Sequence, residues 1–113
     1  MKIITQPITI STLNDMAKNM FGNMIKAVVD VERQIMAVDA ELHSDEEALL
    51  LQDGSKNQDL WGINLYPDLE GDDWIEFDSM INLRPAQNNR TRGVEDSQIR
   101  EKIVQIVSKL VQK

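Results

Sequence analysis

The sequence contains no cysteine. That excludes a disulfide framework, thiolate metal ligands and a cysteine nucleophile, and it fits a reducing compartment. Histidine occurs once, at His43, so no H-x-x-x-H pair exists to seed a zinc site. No apolar run approaches the roughly 20 residues needed to cross a bilayer, and Met1–Pro7 is too short an apolar stretch for a signal-peptide core. Positive charge is scarce: 12 Lys and Arg stand against 19 Asp and Glu, a formal net charge of −7. Such a surface repels a phosphate backbone, which disfavours general nucleic-acid binding. The chain has no P-loop, no glycine pattern of a dinucleotide fold and no G-x-S-x-G. It has no internal repeat and no low-complexity tract. The expectation is a soluble cytoplasmic protein with no membrane partner, no cofactor and no dedicated metal site.

What is present is an ordinary globular composition, 42% apolar and 27% charged over 113 residues, enough for one domain spanning 1–113. Ile3-Ile4 suggests a short edge strand before Pro7. Ser11 or Thr12 can cap a helix in which Leu13, Met16, Ala17, Met20 and Phe21 form one apolar face, with Gly22 as its stop. The period then changes to two. Ile25, Ala27, Val29 and Val31 alternate with Lys26, Val28, Asp30 and Glu32, and a second stretch, Ile35 to Val38 or on to Leu42, completes a hairpin through Glu32-Arg33-Gln34. Ser44 and Glu47 match a capping box opening a short helix that Gly54 ends, with a buried strand through Leu49–Leu51 as the alternative. Leu60–Tyr66 and Trp74–Leu83 read as a second hairpin. In its second strand Ile75, Phe77, Ser79, Ile81 and Leu83 point one way, and Glu76, Asp78, Met80, Asn82 and Arg84 the other. Asp96 or Ser97 caps a last helix with Ile99, Ile103, Ile106, Val107 and Leu110 as its buried stripe. The predicted class is α+β: a two-layer domain with a mainly antiparallel four- or five-stranded sheet and helices on one face.

Three stretches, Ala27–Glu32, Leu60–Pro67, and Ile75–Pro85 with Asn89–Asp96 after it, resemble a family of small prokaryotic proteins classed only as a domain of unknown function. The resemblance spans nearly the whole chain and implies no reaction, substrate or residue role.

Candidate chemistry falls in a few places. Asn82, Arg84, Asn88, Asn89, Arg90 and Arg92 cluster in an otherwise acidic chain, and arginine forks suit carboxylate or phosphate; the alternative is that the arginines pair with the protein's own carboxylates and pin a long loop. Glu76 and Asp78 share a strand face, with Asn64 and Tyr66 expected beside them; they can hold a divalent cation or serve acid–base work, and the alternative is a face that is solvated or forms a dimer contact. His43, followed by Ser44-Asp45-Glu46-Glu47, is a general-base candidate beside carboxylates that also suit a helix N-terminus. The acidic loop Asp68–Asp73 lacks the ligands of a calcium loop. Met16, Met20, Met24, Met36 and Met80 read as core filler; Trp61 and Trp74 read as core anchors or interface residues. The leading expectation is a binding or interaction module that forms a homodimer through an open sheet face or edge. The alternative is a small enzyme or ligand-binding protein for an anionic substrate, phosphorylated or not, with Asn64, Asn82, Arg84, Asn89, Arg90 and Arg92 holding the ligand and Glu76, Asp78 or His43 moving protons. A third is an antitoxin- or immunity-type regulator with an acidic surface for a basic partner.

Overall fold

A computed structural model describes residues 1–113. The chain runs β1 (Lys2–Ile4), β2 (Ile8–Thr9), α1 (Ile10–Lys18), β3 (Ile25–Asp30), β4 (Ile35–Val38), α2 (His43–Gln52), β5 (Leu60–Leu65), β6 (Ile75–Glu76), α3 (Ser97–Leu110) and β7 (Val111–Gln112). Short 3-10 turns lie at Gly71–Trp74, Met80–Asn82 and Pro85–Gln87. Five antiparallel strands form one sheet in the order β1-β4-β3-β5-β6. The expected edge strand at Ile3-Ile4 is β1, paired with β4. A separate parallel pair, β2 with β7, ties the two ends of the chain together. No helix is long and apolar enough to cross a membrane.

Strand β3 is buried on both sides, and this decides the layering. Ala27 and Val29 join Met36, Val38, Trp61, Ile63 and Leu65 beneath Leu13, Met16 and Ala17 of α1 and Ile103, Ile106, Val107 and Leu110 of α3. Val28, on the opposite side of the strand, packs with Ile35, Ala37 and Leu60 beneath Leu50 of α2. The α+β class and the antiparallel sheet are as expected. The placing of all helices on one face is corrected: α1 and α3 cover one face and α2 the other, because Val28 and Ala37 are as fully buried as Ala27 and Val29. The sheet face expected to stand open is therefore largely covered.

Local chemistry shifts several boundaries. Thr9, not Ser11 or Thr12, caps α1, its Oγ1 accepting from Thr12 N at 3.2 Å. The helix ends at Lys18, and Met20 and Phe21 lie beyond it, 36% and 40% exposed. Gly22, at φ +92°, turns the chain left-handed while its N–H donates to Ala17 O at 2.7 Å. In the β3–β4 turn Asp30 does the work expected of Gly or Asn: Oδ1 accepts from Glu32 N and Arg33 N, both at 2.9 Å, and Gln34 takes φ +58°. Strand β4 stops at Val38, where Asp39 takes φ +71°.

The Ser44–Glu47 capping box does not form. Helix α2 starts at His43 behind Leu42, which offers no side-chain cap. Glu46, one turn in, reaches back instead, and its Oε2 accepts from Ala40 N at 3.2 Å. Both tryptophans are core residues, at 2% and 6% exposure. Met80, expected in the core, is 63% exposed.

The largest correction concerns Trp74–Leu83. Only Ile75–Glu76 pairs as strand, and Met80–Asn82 curls into a 3-10 turn. Asn82, expected on the polar side, is fully buried. Its side-chain amide takes the place of a neighbouring strand: Oδ1 accepts from Gly62 N at 2.8 Å and Nδ2 donates to Gly62 O at 3.0 Å. A side chain thereby caps the β5 edge where β6 has ended. Gly62 is required for this approach, since a Cβ there would lie 2.5 Å from Ser79 Cβ.

A cleft at the N-terminus of helix α2

Lys26 and Asn64 face each other in the β3–β5 register, and Asn64 in turn faces Glu76 across β5–β6. Helix α2 presents its first turn to this corner of the sheet, and the 78–81 segment with Arg92 closes the other side. Between them lies a cleft of about 190 Å³ lined by Lys26, Leu42, His43, Ser44, Asn64, Asp78, Met80 and Arg92, among others.

His43 is buried, and its Nε2–H donates to Ile63 O at 2.7 Å. That bond fixes the tautomer and leaves the lone pair on Nδ1, which bonds to no protein group. Burial pushes the imidazole below its usual range; the bond to Ile63 opposes this, Lys26 and Arg92 add to it, and Asp78 offsets part. His43 is thus a neutral proton acceptor at pH 7. Asn64 is 6% exposed. Its Nδ2 donates to Glu76 Oε1 at 2.8 Å and to Asp78 O at 3.2 Å, while Oδ1 is buried with no partner. Tyr66 donates to the same Glu76 oxygen at 3.2 Å. Its phenol is pushed up by desolvation and by Glu76. Arg92 Nε pairs with Asp78 Oδ1 at 2.7 Å, the two side chains 55% and 42% exposed. Among the lining residues two cations, Lys26 and Arg92, meet one carboxylate, a local excess of positive charge on an acidic protein.

Of the residues singled out in the sequence, His43, Asn64, Asp78 and Arg92 share this cleft, and Glu76 stands directly behind Asn64. The others lie outside the cleft. Asn82 uses both amide ends on Gly62 and donates further to Arg92 O at 2.9 Å. Asn89, 3% exposed, donates to Asn82 O, Thr91 O and Gly93 O and accepts from Glu95 N. These are structural amides that hold the 79–95 loop, not ligand donors. Arg84 pairs with Glu47 at 3.3 Å and lies 4.9 Å from the centre of the Trp61 ring. Arg90 is exposed and meets Glu95 through its backbone N–H. Lys26 and Met80, neither of them a candidate site residue and Met80 expected in the core, also line the cleft, because register and turn geometry, not residue type, bring them there.

A larger groove of about 910 Å³ runs between Gly71–Phe77 and α3; Trp74 and Asp72 line it, but none of the candidate catalytic or ligand-binding residues does. Over residues 2–110 the chain matches the model of a family described as protein of unknown function (DUF5674). The chain belongs to that family. Membership in DUF5674 agrees with the resemblance read from Ala27–Glu32, Leu60–Pro67, and Ile75–Pro85 with Asn89–Asp96, and brings no assigned reaction. Neither a curated protein nor a solved structure matches.

Proposed function

We propose that this DUF5674 domain binds a small anionic molecule in the cleft at the N-terminus of α2, with His43 and Asp78 placed for acid–base work on it. The observation that supports this reading is convergence. Lys26, His43, Asn64, Asp78 and Arg92 come from separate segments to one small space, and they combine cationic donors, a neutral imidazole and a carboxylate. Size narrows the ligand. A volume of about 190 Å³ is about six times the roughly 30 Å³ that a water molecule takes in the liquid, and it lies below the range of drug-sized pockets, roughly 300–1,000 Å³. The Arg92–Asp78 pair is half exposed and so worth about 1 kcal/mol or less. An incoming anion can take Arg92 from Asp78 at little cost.

Isothermal titration of the full chain with inorganic phosphate tests the proposal. Lys26→Ala and Arg92→Ala should each weaken binding about tenfold, the loss of one charge-assisted contact. Equal affinity in both variants overturns it.

A second reading, the homodimer, draws on Leu42 and Met80, 53% and 63% exposed, which flank the mouth of the same cleft. Light scattering on the chain and on Met80→Glu tests it: a dimer lost on substitution supports it, and a monomer at high concentration removes it. A cytoplasmic location, expected from composition, belongs to the same proposal.

A further inference from the structure

We infer that the ligand of this cleft carries, beside its anionic group, a hydroxyl or amine that donates a hydrogen bond to Asn64 Oδ1. The inference rests on the anion reading above and narrows it to a chemical class. Both hydrogens on Asn64 Nδ2 are in use, one on Glu76 Oε1 at 2.8 Å and one on Asp78 O at 3.2 Å. That fixes the amide orientation, because a flipped amide would set Oδ1 against a carboxylate and a carbonyl oxygen. Oδ1 is therefore an acceptor. It is buried on a residue 6% exposed, and nothing in the chain donates to it. A buried acceptor left unmade costs roughly 1–3 kcal/mol, and such groups in native structures call for an explanation.

The neighbourhood supplies the complement. His43 Nδ1 is also an acceptor, because Nε2 spends its hydrogen on Ile63 O. Two of the lining residues, Asn64 and His43, thus each keep an acceptor that no protein group uses, while Lys26 and Arg92 carry only donors and positive charge. A bare anion satisfies the cations and leaves Oδ1 unpaired. A small hydroxy acid or hydroxylated phosphate satisfies both, its charged group on Lys26 and Arg92 and its hydroxyl on Asn64. Oδ1 is itself covered, so the inference requires exposed cleft residues such as Arg92 and Met80, 55% and 63% exposed, to shift as the ligand enters.

The test uses the full chain and matched probes: glycerate against propionate, and glycerol 3-phosphate against propyl phosphate, titrated by nitrogen–proton NMR. Sites built to bond a ligand hydroxyl reject the analogue that lacks it. The hydroxylated member of at least one pair should bind at least tenfold more tightly and shift the Asn64 side-chain NH₂ signals. Affinities within twofold across both pairs, or an Asn64 amide that does not move, overturn the inference, an ordered water on Oδ1 then being its only partner; the anion reading survives that result. Absence of binding by all four probes removes the anion reading and the inference together.

Discussion

Glu46 offers the sharpest perturbation of the fold that presents the cleft. Its side chain is fully buried under α2 and accepts from Ala40 N through Oε2, while Oε1 has no partner. Burial pushes its carboxyl up to about 9, with the bond to Ala40 and the charge of Lys26 opposing. The folded protein therefore holds Glu46 protonated at neutral pH, whereas the unfolded chain ionises it near 4.5. For a group raised on folding, the stabilising contribution is fully present below the unfolded value and is lost as pH climbs toward the folded one. Each unit between them is about 1.4 kcal/mol. From pH 4.5 to pH 7 the native state should lose roughly 3 kcal/mol from this residue alone, a large share of the 5–15 kcal/mol typical of a domain. Glu46→Gln keeps the shape and the acceptor for Ala40 N but cannot ionise. Urea unfolding followed by the buried Trp61 and Trp74 gives both stabilities. The difference, variant minus wild type, should grow by roughly 3 kcal/mol between pH 4.5 and pH 7. Taking the difference cancels the titration of the other carboxylates. A difference constant to within about 0.5 kcal/mol, well inside that expectation, would refute the reasoning.

Other outcomes follow from the same geometry. Gly62→Ala brings a Cβ to 2.5 Å from Ser79 Cβ and 2.6 Å from its Oγ, so overpacking should cost about 1–3 kcal/mol, read as a lower urea midpoint. Asn82→Ala strips the Gly62 N–H and C=O of their partner and should cost at least about 2 kcal/mol; a near-neutral result contradicts the side-chain strand cap. The His43 ring protons should titrate by NMR with a midpoint below 6.5, the direction burial sets. The stability from its neutral form should be present above 6.5 and fall as pH drops through the folded midpoint.

The helices with one exposed side were legible from period alone: the α1 and α3 stripes are buried largely as their spacing requires. Strands β3, β4 and β5 were legible in extent, although they are buried on both faces and not on one. Helix α2 was legible in extent but not in placement. Its buried stripe is His43, Glu46 and Leu50, spaced as a helix face but two-thirds polar, so apolar periodicity gave no sign that it covers the second sheet face. The segment after Glu76 misled for a related reason. Asn82 sits where a strand would send a polar side chain outward, yet its amide is drawn inward to satisfy the Gly62 backbone. Within the cleft, His43, Asn64, Asp78 and Arg92 were recognisable by chemical type. Lys26 was not, because only the register opposite Asn64 brings it in.

Mapping inorganic phosphate onto the full chain by nitrogen–proton NMR addresses the cleft most directly. Saturable shifts should cluster on Lys26, His43, Asn64 and Arg92, with the groove along α3 silent. Shifts centred on Arg90 or on the α3 groove, with Asn64 and Lys26 unmoved, would contradict the assignment of the site.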